Sequence, residues 1–173
     1  MSSDTPARDE ADRLLRAEQD VQARLGDHPL DFESMDAISN IYRAAAAVRR
    51  QAERDVLARH GLSFGAFTIL WVLWVWDEME TARLAEECNL AKGTLTGMLN
   101  TLEKQELVER NRIEADKRRV LVSLTERGTE TIAEAFPRFN TFEAEMSAGL
   151  SSDEKRELAR LLRVVITNAT TSG

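Results

Sequence analysis

The residues best suited to chemistry are basic side chains gathered between positions 110 and 119. They are Arg110, Arg112, Lys117, Arg118 and Arg119. Lysine and arginine neutralise phosphate charge, and an arginine on a narrow hairpin can enter the minor groove of DNA, where the negative potential is strongest. A solvated turn between two strands is the simpler alternative for such a charge run. The sequence on either side favours the first explanation.

The charge distribution isolates this region from the rest of the chain. The 173 residues carry a formal net charge of −7, but residues 92–127 hold eight Lys or Arg against six Asp or Glu. Residues 92–127 therefore carry +2 and the remainder −9. An acidic protein of this kind offers phosphate one favourable approach.

A polar helix is predicted just before the cations, from Lys92 to about Gln105. Its apolar stripe is narrow, and the other face carries Thr94, Thr96, Gly97, Asn100 and Thr101. Hydroxyl and amide groups such as those of Thr94, Thr96 and Asn100 can contact base edges or phosphates, and Lys92 can meet a phosphate at the start of the helix. A shorter helix, capped by Thr81 and followed by a left-handed Asn89, precedes it. Two short helices joined by a tight turn form a helix-turn-helix.

A β-hairpin is predicted after the polar helix. The segments LVERNRI and VLVSL alternate apolar and polar residues, and the charged EADKRR lies between them. A helix-turn-helix followed by a hairpin with a basic tip is a winged helix-turn-helix.

Long helices are predicted on both sides of this segment. Amphipathic patterns cover residues 8–25 and 32–60, the second ending at Gly61, and an almost wholly apolar helix follows a Ser63 cap. After the hairpin, one helix starts at Thr125 and is expected to kink at Pro137, and another starts with a Ser151/Glu154 capping box. The predicted fold class is mainly α with a small β-hairpin wing (α+β). We divide it into dimerisation helices at 1–61 and 126–173 and a DNA-binding lobe at 62–125.

Other candidate sites are weaker. Trp71 and Trp74 could line an apolar effector pocket for a small apolar or aromatic anion, although core packing is the more common role of aromatics at helical spacing. Cys88 could be a redox sensor, but the neighbouring Glu86 and Glu87 disfavour its thiolate.

The sequence predicts neither an enzyme nor a metal or cofactor site. His28 and His60 have no partners at ligand spacing, and the chain has no phosphate-binding glycine loop and no nucleophile and base at suggestive spacing. One cysteine and an apolar run of about 13 residues, short of the roughly 20 that a membrane span needs, predict a cytoplasmic protein without a membrane partner.

Three segments give the sequence a resemblance to the MarR-type transcriptional regulators. They are RLAEECNLAKGTLTGMLNTLEKQELVER, the wing pattern R-N-R-x-x-x-D-K-R and the ending VLVSLTERG. The resemblance covers roughly residues 62–128. Three positions depart from it: Ala91 stands where a capping serine is frequent, Glu106 where a glycine usually precedes Leu107, and Ile113 where the wing often has aspartate.

The resemblance implies roles for individual residues. Asp116 matches the aspartate that braces the wing, Arg118 the arginine that enters the minor groove, and Arg110 and Arg112 fall where strand and wing cations lie. The positions of the family's recognition helix are occupied by Lys92, Gly93, Thr94, Thr96, Gly97 and Asn100. It implies a ligand-responsive repressor that binds a pseudopalindromic operator on double-stranded DNA as a homodimer. Two alternatives remain open: a sequence-independent architectural DNA-binding protein, and a redox-responsive regulator acting through Cys88.

Overall fold

The computed structural model of the chain describes residues 5–113 and 116–171, and the side chains of 9, 12–111 and 119–171. This part of the chain is mostly helical, with one small antiparallel sheet, which confirms the predicted fold class. The helices are α1 (Thr5–Leu25), α2 (Phe32–Ala52), α3 (Phe64–Trp76), α4 (Thr81–Glu87), α5 (Lys92–Lys104), α6 (Glu126–Met146) and α7 (Ser152–Thr171). The strands are β1 (Met79–Glu80), β2 (Val108–Ile113) and β3 (Asp116–Leu124).

The chain divides into two compact units, residues 1–48 and 49–173. In the first unit, Asn40 Nδ2 donates a hydrogen bond of 2.8 Å to Glu18 Oε1, which joins α2 to α1. None of the described side chains of this unit is buried, and its exposed apolar residues include Leu15, Met35 and Ile38. The first unit therefore presents apolar surface rather than enclosing a core.

The helix predicted over residues 32–60 changes its winding before it ends. It is α-helical to Ala52, continues as a π-helical turn over Glu53–Leu57 and finishes as a 3-10 turn over Ala58–His60. Gly61 then takes the left-handed conformation, with φ of 65°, as predicted for its stop. The π-helical turn contains Glu53, whose carboxylate accepts a hydrogen bond of 3.0 Å from the backbone N–H of Phe64 at the start of α3.

Helix α3 is the centre of the core of the second unit. Its sequence is apolar on all sides, and five of its residues are buried: Phe67, Ile69, Leu70, Val72 and Leu73. Phe67 stacks on Phe139 of α6, with ring centroids 4.3 Å apart. A helix that is apolar all round must be enclosed by other elements, and α6 supplies one wall.

Within the described residues, no single helix is both long and apolar enough to cross a membrane. The pair Phe32–His60 and Phe64–Trp76, bent by 69°, passes that test by length and composition only.

The hairpin differs in two respects from the prediction. The sheet has the order β1-β3-β2, and the two-residue strand β1, which was not predicted, pairs Met79 with Val122. Strand β3 begins at Asp116, so only residues 114–115 connect the two hairpin strands, rather than the whole of 114–119. Pairing across the sheet extends the strand into the charged run, where alternation of residue types gives no signal.

The base of the hairpin lies in close contact with the start of α6. Glu106 adopts the left-handed conformation, with φ of 59°, at the position where a glycine is usual. The Thr125 hydroxyl donates to the Glu106 carbonyl at 2.6 Å and accepts from the Gly128 N–H at 3.0 Å. A Cβ atom on Gly128 would lie 1.9 Å from the Leu107 carbonyl oxygen, so no larger residue fits without moving the backbone.

Most predicted helix boundaries are confirmed. Ser63 accepts from the Ala66 N–H, and Ser151 and Glu154 form the reciprocal bonds of a capping box. Asn89 is left-handed, with φ of 50°. The predicted Thr81 cap is wrong: Thr81 is the first residue of α4, and the N-cap position belongs to Glu80, without a side-chain cap bond.

Candidate nucleic-acid interface

Helix α5 presents a polar face to solvent. All six residues predicted for the recognition helix, Lys92, Gly93, Thr94, Thr96, Gly97 and Asn100, are exposed, whereas Leu95, Leu99 and Leu102 are buried. A Cβ atom at Gly93 or Gly97 would meet nothing within 4 Å. The helix therefore packs on the lobe through its leucines. Its two glycines carry no side chain on the outer surface, so a partner can approach the backbone closely at these positions.

The hydroxyl group of Thr96 is already engaged with the helix itself. It donates to the Lys92 carbonyl at 2.8 Å, so its proton faces the backbone and its oxygen keeps acceptor capacity. No hydrogen bond of the Thr94 side chain occurs within the described part of the chain. The two exposed threonines, Thr94 and Thr96, therefore offer different chemistry.

A groove of about 380 Å³ runs between the helix-turn-helix and the sheet. Its lining combines an apolar floor with two cations and two hydroxyls: Thr81, Ala82, Lys92, Leu95, Thr96, Leu99, Arg110 and Val120. The groove brings Lys92 of α5 and Arg110 of β2 to one surface, although they are 18 positions apart in the sequence. Both belong to the predicted DNA-binding set.

The Arg110 side chain is only partly exposed, because it packs against α5. Its guanidinium donates to Asn100 Oδ1 at 2.7 Å and to the carboxylate of Glu103, both on α5. The hydrogen bond from Arg110 holds the pKa of Glu103 below its ordinary value. Glu103 was not predicted as a site residue, because a lone glutamate on an exposed helix surface carries no signal until the partner strand is placed.

The remaining wing residues extend the same hairpin. Arg112 lies in β2, and Asp116, Lys117 and Arg118 lie in β3, but their side chains fall outside the described residues. The brace predicted for Asp116 and the groove contact predicted for Arg118 stay predictions.

Arg119 forms an ion pair with Glu80 at the sheet edge. Because Glu80 belongs to β1, this pair ties the predicted wing to the short third strand.

Cys88 lies at the end of α4 and is half-buried. Burial, together with the negative charge of Glu87, raises the pKa of its thiol to about 11. The thiol is thus protonated at neutral pH and reacts slowly with oxidants. This setting disfavours the redox alternative.

The two tryptophans predicted for an effector pocket have different surroundings. Trp74 packs against Phe136 and lines a cavity of about 480 Å³ with Leu73, Asp77, Glu78, Ser123, Leu124 and Thr129. Trp71 is not part of that lining and makes an edge contact with Trp76. Asp77 has the unusual backbone angles φ 60° and ψ −138° at the end of α3. No cluster of three or more potential metal ligands occurs in the described residues.

The arrangement defines a winged helix-turn-helix: α4 and α5 form the two-helix motif, and β2 and β3 form the wing. The MarR family model matches residues 62–120, which cover α3 to the first half of β3.

Similar proteins agree with the fold and extend the match along the chain. YwaE of Bacillus subtilis, an HTH-type transcriptional regulator, is 36% identical over 92% of this chain and 95% of its own length. The structure of a mutant MarR from E. coli complexed with operator DNA is 25% identical, with a TM-score of 0.71, over 77% of this chain and 95% of that chain. The structure of Bordetella bronchiseptica BpsR, whose DNA binding is regulated by 6-hydroxynicotinic acid, is 22% identical, with a TM-score of 0.66, over 77% of this chain and 98% of that one.

The chain belongs to the MarR family of transcriptional regulators.

Proposed function

We propose that the chain is a sequence-specific DNA-binding regulator that inserts α5 into the major groove and the β2–β3 wing into an adjacent groove. The observation that carries the proposal is the exposed polar face of α5 beside the wing that bears the cations. Its leucine stripe is buried in the lobe, so the polar face is the one a partner can reach. In this proposal Lys92, Thr94, Thr96 and Asn100 face DNA, Gly93 and Gly97 permit close approach, and the wing residues are Arg110, Arg112, Asp116, Lys117 and Arg118.

The wing assignment is tested by Arg118→Ala. Operator binding should weaken by about 1 kcal/mol, because a groove contact is lost while the fold is kept. The operator is first selected from random duplexes, and affinity is then measured by fluorescence anisotropy, with helicity checked by circular dichroism. Arg163→Ala, which removes an exposed arginine from α7, is the matched control. Equal affinities for the Arg118 and Arg163 variants would refute the wing assignment.

A homodimer is the proposed assembly. Helix α7 has no buried residue, and its apolar side chains are exposed. Nearly half of the surface is exposed in Leu158, Leu161 and Val164, and more than half in Ile166. An apolar helix face of this kind is stabilised by a partner, and a second copy would place two recognition helices about one helical turn apart on a pseudopalindrome.

The dimer is tested by sedimentation velocity at micromolar concentration. Leu161→Glu places a charge on the apolar stripe and should shift the protein toward monomer. Thr167→Glu adds the same charge on the opposite side of α7 and should not. A wild-type monomer at this concentration would rule out the assembly.

Ligand response is supported by BpsR, whose DNA binding a small molecule regulates. The cavity beside Trp74 is the proposed site, but its charge opposes the anion expected from the sequence, since its lining contains Asp77 and Glu78 and no cation. A neutral or cationic aromatic ligand fits this lining better, because carboxylates and an indole face both attract cations.

The ligand site is tested with two probes of similar shape and opposite charge, benzylammonium and benzoate. In a Trp71→Phe, Trp76→Phe variant, Trp74 is the remaining tryptophan. Benzylammonium should quench its fluorescence saturably and benzoate should not. The reverse order of the two probes would exclude this assignment.

An architectural role differs from regulation in its response to competitor DNA. A regulator should keep its selected operator when random duplex is added in excess, whereas a sequence-independent binder would be displaced readily.

A further inference from the structure

Arg110 connects β2 to α5, the two elements that the proposed interface must hold in a fixed relative position. It extends from β2, the first strand of the wing, to Asn100 and Glu103 on α5. Those two residues are three positions apart and share one face of the helix. The guanidinium group of Arg110 therefore forms a bridge that joins the C-terminal half of α5 to the wing.

The bridge is retained at neutral pH. The hydrogen bond from Arg110 lowers the pKa of Glu103 and raises that of Arg110 in turn, so both groups stay ionised. The Arg110 side chain keeps 26% of its surface exposed, compared with 64% for Arg127, which pairs with Glu106 just after the end of α5. Arg110 is thus more enclosed than an arginine that simply projects into solvent.

The contact also fixes the orientation of the Asn100 amide. A guanidinium has only donors, so the atom of Asn100 that faces Arg110 must be the oxygen. The 2.7 Å hydrogen bond therefore places Oδ1 toward the wing and leaves the two N–H groups of Nδ2 as the donors of this side chain. In the described part of the chain, no hydrogen bond engages Nδ2.

We propose that Arg110 is a positioning residue, held by Glu103, that orients the Asn100 amide and thereby sets the base preference of the recognition helix. This inference rests on the proposed DNA-binding function. It assigns Glu103 a role in recognition without contact to DNA, and it assigns Arg110 a role other than neutralising a phosphate.

The bridge predicts which bases Asn100 selects. Asparagine contacts adenine through both amide atoms, with Oδ1 accepting from N6 and Nδ2 donating to N7. With one lone pair of Oδ1 engaged by Arg110 and the oxygen turned toward the wing, the Nδ2 donors are the groups left to face DNA, and they match the O6 and N7 acceptors of guanine or the O4 acceptor of thymine. The edge of cytosine presents a donor and is disfavoured.

The test compares base preference with salt dependence in the full chain. Wild type, Asn100→Ala, Arg110→Ala and Glu103→Ala each select operators from random duplexes, and the affinity of each for the wild-type operator is measured against salt concentration. Asn100→Ala identifies the base pair at which preference is lost. Arg110→Ala and Glu103→Ala should relax preference at that same base pair by roughly tenfold, as loss of one base contact does.

The salt dependence separates positioning from phosphate binding. A positioning residue leaves the slope of log affinity against log salt unchanged, whereas loss of one phosphate contact reduces the slope by about 0.9. A reduced slope with intact base preference in Arg110→Ala would overturn the inference. So would intact base preference in Glu103→Ala, a substitution that an exposed helix position should tolerate.

Glu157→Ala is the matched control, since Glu157 also pairs with an arginine on a helix surface, but on α7. It should retain the wild-type preference and slope. If wild type enriches no sequence, the proposed function fails and the inference with it. If wild type enriches a sequence that the Arg110 and Glu103 variants enrich equally well, only the inference fails.

Discussion

Helices α3 and α7 are both rich in apolar residues, yet only α3 buries several of them, while its exposed ones, Trp74, Val75 and Trp76, lie at its C-terminal end. Five residues of α3 are buried, including Leu70 with no exposed surface, whereas α7 has no buried residue and Leu161 keeps 47% of its surface exposed. The apolar residues of α3 surround the helix, and those of α7 lie along one stripe. The partners of α3 belong to the same unit of the chain, whereas the stripe of α7 stays exposed, which is why we propose that a second copy covers it.

The comparison predicts its largest effect for Leu70→Ala. Removal of a fully buried leucine should lower the free energy of unfolding by about 2–5 kcal/mol, because the transfer free energy is lost and a cavity remains. Leu161→Ala should change it by less than about 0.5 kcal/mol in dilute protein. Urea unfolding monitored by circular dichroism measures both.

Protein concentration sharpens this test. The loss in Leu70→Ala should be the same at all concentrations, and the loss in Leu161→Ala should grow as the wild type associates. If Leu161→Ala were as destabilising as Leu70→Ala in dilute solution, the stripe of α7 would be covered within the chain and the comparison would be wrong.

A second comparison, between the N-terminal caps of α6 and α7, concerns smaller losses in the free energy of unfolding. Thr125 both caps α6 and donates to the Glu106 carbonyl, while Ser151 serves the capping box of α7. Thr125→Ala should cost about 1–2 kcal/mol and Ser151→Ala about 0.5–1 kcal/mol. Thr125→Ser and Ser151→Thr keep the hydroxyl groups and serve as controls. Equal losses in the two alanine variants would show that the bond to Glu106 contributes nothing.

Local residue types made these caps predictable. Ser63, Thr125 and the pair Ser151 and Glu154 are side chains that bond to the backbone two or three residues away, so a short stretch of sequence contains the whole interaction. The stop at Gly61 is equally local, because glycine adopts a positive φ without a steric penalty.

Features that depend on distant partners were not predictable in this way. The strand β1 exists because Met79 pairs with Val122, more than 40 positions away. The left-handed Glu106 is held by Thr125, which bonds to its carbonyl across 19 positions. Residue type alone would not select glutamate for such a backbone conformation, since its Cβ disfavours a positive φ.

In the candidate site, too, local features were predictable and contacts between distant residues were not. The exposed face of α5 followed from helical periodicity, because the positions of its leucines determine which residues point outward. To predict the contact between Arg110 and Glu103, one must know how α5 and β2 lie against each other. Helical periodicity carries no information about that. Arg110, which was predicted to contact DNA, also contacts α5, and that contact could not be predicted.

The smallest expected effect concerns pH. The folded-state pKa of Glu103 lies below its ordinary value of 4.5 because Arg110 donates to the carboxylate. Its contribution to stability is therefore present above pH 4.5 and is lost as the pH falls through the folded-state pKa. A partly exposed ion pair of this kind contributes no more than about 1 kcal/mol.

Urea unfolding of wild type and Glu103→Ala between pH 7 and pH 3 measures this contribution. The difference between the two proteins should be constant down to about pH 4.5 and then shrink, since protonation of Glu103 removes the ion pair in wild type as well. The pKa of Glu157 is also lowered, by Arg160, so Glu157→Ala reports the same titration on α7. A difference for Glu103→Ala that persisted unchanged to pH 3 would mean that its side chain stabilises the lobe through packing rather than through its charge. The guanidinium of Arg110 would then need another partner to hold it beside Asn100.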